Sequence, residues 1–216
     1  MAALGHSIRN SAIGLGLFAM ITGGTIAVTQ ALTAHRIQQQ VELAEARALF
    51  EIIPQSAHSN DLLADTLTLP AEPALGVQNP TTVWVARQNG APAGLIVPMV
   101  APDGYSGDIH LLVGIAPNGD ILGVRITTHK ETPGLGDKVE LKKSDWVLDF
   151  NGHSLRSLPA EQWTVTKDGG EFDQFTGATI TPRAVTHTVK RALEYTRRNQ
   201  GLIQRTWQQT PAGEQV

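Results

Sequence analysis

The sequence predicts an α+β fold, a single N-terminal transmembrane helix followed by one domain with an antiparallel sheet and flanking helices, on three observations. Residues Asn10 to Ala34 contain no Asp, Glu, Lys, Arg or His. Four apolar segments pair around Asn89–Gly90 and Asn118–Gly119, dipeptides that favour the tight turns of β-hairpins. A third stretch, PRAVTHTVKRALEYTRRN, repeats apolar and neutral side chains at helical spacing. The 216 residues suit an anchor and one domain, and a hydrophobic content of 41% is enough to build a core.

Taken in order, residues 1–9 form a short N-terminal segment and 10–34 the spanning helix, since about 20 residues of helix cross a bilayer. Glycines 14, 16, 23 and 24 and threonines 22, 25 and 29 suit close packing against other membrane helices. A cleaved signal peptide is the competing reading. The apolar run is longer than a signal core, and an A-x-A cleavage site is not evident before Arg36. Arg9 on one side, against Arg36 with Glu42 and Glu45 on the other, biases the N-terminus to the cytoplasm and the domain to the periplasm of a bacterial inner membrane. The span holds no ionisable group, so this chain alone offers no path for an ion.

Residues 35–80 read as a stalk helix and linker. Ile37, Val41, Ala44, Ala48 and Ile52 recur at helical spacing until Pro54, and a proline-dotted stretch runs from Leu69 to Pro80. The domain proper covers 81–205. TTVWVARQNGAPAGLIVPMV and GDIHLLVGIAPNGDILGVRITTH give an antiparallel meander of about four strands, and DKVELKKSDWVLDF reads as one helix or two short ones. Residues 206–216 read as a C-terminal tail.

Composition excludes several chemistries. With no cysteine there is no iron–sulfur cluster, thiol nucleophile or disulfide, so redox work requires an organic cofactor or a metal held by N and O ligands. Seventeen basic and twenty acidic residues in mixed order leave no basic stripe for nucleic acid.

The segment FDQFTGATITPRAV joins a small-residue turn to a helix start. Thr181 and Pro182 read as N-cap and first helical residue, and Val185, Val189, Ala192 and Thr196 lie along one face. Arg191, Arg197 and Arg198 complement the later turns, so the positive end of the helix faces Thr176–Thr179. Gly177 and Ala178 would let a phosphate approach the backbone there. Spacing alone favours a loop that merely leads into a capped helix and does not reach a cofactor.

Asp173, Thr176, Gly177, Ala178 and Thr179 match the D-x-x-[ST]-G-A-[ST] signature of covalent FMN-binding domains. With DGYSGDIHLLVGI and HKETPGLGDKVE they make nearly the whole chain resemble the G subunits of the Rnf/Rsx ion-translocating electron-transport complexes. The C subunits of the sodium-pumping NADH:quinone reductases share the pattern more loosely. The resemblance implies FMN joined through its phosphate to Thr179 by a Mg²⁺-dependent flavin transferase, with Asp173 serving that enzyme. It implies other membrane subunits of the complex as partners, and Glu131, Thr132 and Leu135 lining the flavin ring. Tyr105 and Ser106 would stand near the same face, Tyr105 stacking and Ser106 donating a hydrogen bond, although a plain hairpin turn explains them equally well. His129 at a strand end is assigned no catalytic role. A non-redox assembly module in the membrane is the alternative reading; a hydroxyl-nucleophile hydrolase lacks an accompanying G-x-S-x-G elbow.

Overall fold

The computed structural model describes residues 2–73 and 76–208. The chain divides into two units, Met1–Ala44 and Glu45–Val216. Helix α1, Ala2–Ile52, supplies the first unit and, with its last two turns, the beginning of the second. The spanning segment and the stalk expected from sequence are therefore one continuous helix. Within it, Ile8–Ile37 is long and apolar enough to cross a bilayer, with a mean hydropathy of 1.8. The hydroxyls of Thr22, Thr25, Thr29 and Thr33 each donate to the carbonyl four residues earlier at 2.7–2.8 Å. These polar side chains therefore present no unmet donor to lipid.

The second unit is built on five strands: β1 Thr66–Leu69, β2 Thr81–Gln88, β3 Ala91–Gly104, β4 Gly107–Ile115 and β5 Ile121–Thr128. They lie in chain order and every neighbouring pair is antiparallel. The two asparagine–glycine hairpins form as expected, with Asn89 and Gly90 both at positive φ in the first. The additional strand is β1, four residues that pair Leu67 with Val83 and Leu69 with Thr81. On sequence alone this region reads as stalk and linker. Beyond β1, Glu72 and Val77 form an isolated bridge; residues 74 and 75 of the expected linker lie outside the described residues.

Burial along β2, β3 and β4 is continuous, without the alternation of a one-sided sheet, because both faces are covered. On one face Val85, Leu95, Val97, Met99, Leu111 and Val113 pack into the main core with helix α2, Ile180–Arg198. On the other, Ala86, Ile96 and Leu112 pack against Leu49, Ile52 and Ile53 at the end of α1 and beyond it. Gly114 makes that second contact possible: a Cβ there would lie 2.1 Å from Ile52 Cγ2. Pro54 follows and the helix ends at Ile52.

DKVELKKSDWVLDF resolves into two short 3₁₀ turns, Gly136–Val139 and Trp146–Phe150. Helix α3, Gln200–Gln208, covers the start of the region read from sequence as a tail; residues 209–216 of that tail lie outside the described residues. Arg87 ties α3 to the sheet. Its side chain is 4% exposed and donates to Asp65 Oδ2 and to the carbonyls of Thr206 and Trp207, each at 2.8 Å. A buried guanidinium is tolerated when its donors are matched in this way.

Tyr195 on α2 is wholly buried and donates to the Pro70 carbonyl at 2.6 Å. Burial, reinforced by the charge of Glu72, pushes its phenol up to about 12. The folded state then retains a proton that the unfolded chain releases near its ordinary value of about 10, so unfolding free energy should fall between pH 10 and 12. Chemical denaturation across that range should show the decline in the wild type and a shallower one in Tyr195→Phe. The variant should also lose about 1 kcal/mol at neutral pH with its hydrogen bond.

Candidate functional site

Three segments meet beside the N-terminus of α2: the β3–β4 hairpin tip at Tyr105–Ser106, the loop His129–Gly136, and the turn Thr176–Thr179. A buried carboxylate joins them. Glu131 is 4% exposed; its Oε1 accepts the Ser106 backbone N–H at 2.9 Å and its Oε2 accepts the Thr181 hydroxyl. Gly136 is packed into the same knot, since a Cβ there would lie 2.8 Å from both Glu131 Oε2 and Thr181 Oγ1.

His129 fixes where Glu131 enters. The Glu131 backbone N–H donates to His129 Nδ1 at 3.0 Å, which leaves the imidazole proton on Nε2, 2.6 Å from Glu140 Oε1. After Glu131 the chain turns on the Thr132 carbonyl, which accepts the amides of Leu135 and Gly136 at 3.1 Å each. Gly134 sits at φ +79 within this turn. The turn leaves Thr132 exposed and Leu135 41% exposed, next to the backbone of Gly177.

The motif segment is anchored before it reaches the turn. Phe175 is buried and packs edge-on against Trp146, with ring centroids 5.2 Å apart, and the Trp146 indole donates to the Asp173 carbonyl at 2.8 Å. Gln174 Oε1 accepts from the Thr166 hydroxyl and the Lys167 amide. The Asp173 side chain is exposed; with burial and Asp145, its charge raises the pKa of Asp149 above the ordinary carboxylate value, against the opposing effect of His153. The Ala178 N–H then closes a turn onto the Phe175 carbonyl at 3.0 Å, with Gly177 at φ +81, a conformation that favours glycine.

The start of α2 differs from the expected cap. Thr179 is the N-cap and Pro182 the third helical residue, because Thr181 is drawn into the helix with its hydroxyl on Glu131. A threonine N-cap ordinarily bonds the amide two or three residues ahead from an extended backbone. Here the third helical residue is proline, which has no amide hydrogen, and Thr179 has φ −84 and ψ −29. Its hydroxyl makes no cap bond. The first turn of α2 contains no acidic residue, so the positive end of the helix has no charge from its own turn opposing it.

The three threonines of the segment are thus distinct. Thr181 is buried and bonded, Thr176 is exposed, and Thr179 is half-buried at the helix end, its hydroxyl making no hydrogen bond among the described residues. Ser106 contributes its backbone amide to the knot, and Tyr105 stands 67% exposed at the hairpin tip. Sequence reading passed over Thr181 as a Glu131 partner, Gly136 as the space for that contact, and the His129–Glu140 pair. The D-x-x-T-G-A-T pattern could be read locally, whereas the Thr181–Glu131 contact joins residues 50 apart and the His129–Glu140 pair depends on the path of the loop between them.

Glu131→Ala removes the acceptor from two donors, and should lower unfolding free energy by about 2–4 kcal/mol, read from urea denaturation followed by tryptophan emission. Glu131→Gln, which keeps an acceptor oxygen, should cost less. Gly136→Ala should cost about 1–3 kcal/mol by overpacking the same knot. Wild-type midpoints in Glu131→Ala and Gly136→Ala would contradict this account of the knot.

Comparisons with known proteins agree with this geometry. A family model described as the FMN-binding domain matches residues 104–194, which include the hairpin tip, the loop and the turn, and one described as the RnfG N-terminal region matches residues 1–52. The chain is 47% identical over 194 residues to the G subunit of the ion-translocating oxidoreductase complex of Vibrio cholerae serotype O1, covering 90% of this chain and 92% of that one. The proteins of the same name from Shewanella loihica and Shewanella oneidensis are 46% and 45% identical, over 92% and 91% of this chain and 93% and 92% of theirs. With nearly the full length matched on both sides, the chain belongs to the family of G subunits of ion-translocating oxidoreductase complexes.

Proposed function

We propose that the chain is a membrane-anchored flavoprotein electron carrier of an ion-translocating oxidoreductase complex, with FMN held through its phosphate on Thr179. The observation that carries the attachment point is the Thr179 hydroxyl, which makes no cap bond at the N-terminal end of α2. Family membership supplies the flavin and the complex. Bound FMN exchanges one or two electrons, and the protein contributes position and electrostatics.

The residues present fit that group. Gly177 leaves the turn without a side chain where a phosphate would approach, and the first-turn amides and dipole of α2 favour its negative charge. Leu135 offers an exposed apolar side chain beside Gly177, suited to one face of a flat ring, with Thr132 and Tyr105 supplying polar and aromatic groups nearby. Glu131 acts from beneath by holding the loop and the hairpin tip in place. Thr179 exchanges its hydroxyl hydrogen for the FMN phosphoryl group of FAD, AMP leaves, and a Mg²⁺-dependent flavin transferase that reads Asp173 and the TGAT turn catalyses the exchange. The ester would keep the flavin on an exposed site that holds free FMN poorly.

The first unit serves as the anchor. Arg9 against Arg36, Glu42 and Glu45 supports an N-terminus in the cytoplasm and a flavin domain in the periplasm, beside the other membrane subunits of the complex.

Coexpressed with an active flavin transferase, the wild-type chain should fluoresce as a flavin band in a denaturing gel, Thr179→Ala should be dark, and Thr176→Ser, which leaves the motif intact, should keep the band. Fluorescence retained in Thr179→Ala would move the attachment elsewhere. A dark wild-type band would favour a non-redox assembly role. Alkaline phosphatase fused after Gln208 should be active, whereas a cytoplasmic domain would leave it silent.

A further inference from the structure

At the opposite end of α2, about 27 Å along the axis from Thr179, the second unit contains a cavity of about 240 Å³. Its apolar lining comes from Leu95 of β3, Ile115 of β4, Leu155 beyond the Trp146–Phe150 turn, Leu193 of α2, and Ile203 and Trp207 of α3. The α3 wall is held by the Arg87 bonds to the Thr206 and Trp207 carbonyls.

Two features set the chemistry. The Trp207 indole N–H is buried and has no acceptor among the described residues, whereas those of Trp146 and Trp163 donate to the Asp173 and Leu158 carbonyls. Two guanidiniums also line the cavity. Arg197 is exposed and makes no hydrogen bond or ion pair among the described residues. Arg156, 72% exposed, lies 3.8 Å from Asp120 Oδ1 and donates to the Asn118 carbonyl, which leaves donors to spare. The carbonyl end of α2 and the amide end of α3 abut at Asn199, so their dipoles offset and the two arginines set the local sign.

We propose that this cavity is a second ligand site, for a small monocarboxylate with an apolar body. The carboxylate would meet Arg197 and Arg156, and the body would fill the space between Leu95, Ile115, Leu193 and Ile203, with an oxygen supplying the acceptor that Trp207 lacks. A cavity of about 150 Å³ accepts benzene, so this one suits a ligand of about ten non-hydrogen atoms. Apolar burial provides the affinity and the guanidiniums select for negative charge.

The test titrates octanoate into the full chain, labelled with ¹⁵N at the tryptophan indoles, in nanodiscs of zwitterionic phospholipid, with Trp207→Phe assigning the Trp207 resonance. Octanoate should shift that resonance saturably and leave those of Trp146 and Trp163 in place. It should bind about tenfold tighter than octanamide, and Arg156→Gln with Arg197→Gln, both at exposed positions, should remove the difference. Equal affinity for octanoate and octanamide in the wild type would overturn the proposal, as would a shift that grows without saturation, the behaviour of partition into the bilayer.

Discussion

Glu131 lies 25 residues from Ser106 and 50 from Thr181, and its two carboxylate oxygens bind one group from each. A carboxyl group at this depth is costly unless hydrogen-bond partners replace its water. Meeting that requirement forces the hairpin tip, the loop after β5 and the first turn of α2 to converge. Gly136 provides the room, and His129 fixes the approach by accepting the Glu131 amide while pairing with Glu140. The surface above the knot, with Leu135 beside Gly177, follows from that convergence.

The same contact explains the unusual helix start. Once the Thr181 hydroxyl is committed to Glu131, α2 begins earlier than a Thr–Pro cap would place it, and Pro182 moves to the third position. Proline there removes one of the two amides a capping hydroxyl could bond, and the Thr179 hydroxyl makes no cap bond. Local destabilisation of this kind is characteristic of functional sites, where the surrounding structure maintains what the segment alone would not adopt.

Much of the fold was legible in the sequence, for identifiable reasons. Asn89–Gly90 and Asn118–Gly119 announced their hairpins because the turn is local chemistry, and α2 followed from Val185, Val189 and Ala192 on one face. Strand β1 was missed because four residues carry little pattern and its pairing is determined by β2. Burial on both sheet faces was missed because it depends on Ile52 reaching Gly114, residues far apart in the chain. Arg87 reads as a surface residue on a strand, and only the Thr206 and Trp207 carbonyls reveal that it is buried. At the site, the TGAT pattern named the turn, whereas the role of Thr181 rests on a contact 50 residues away and that of His129 on how the loop after β5 folds back on itself.

The spanning helix, the FMN-binding domain and the near full-length likeness to the G subunits of ion-translocating oxidoreductase complexes describe a flavoprotein electron carrier fixed at a membrane. Its central claim is the phosphoester at Thr179. Intact mass of the full chain coexpressed with flavin transferase, followed by peptide mapping, tests it most directly. The account predicts a gain of one FMN less one water, placed on Thr179. An unmodified chain, or the same gain on Thr176, would contradict it.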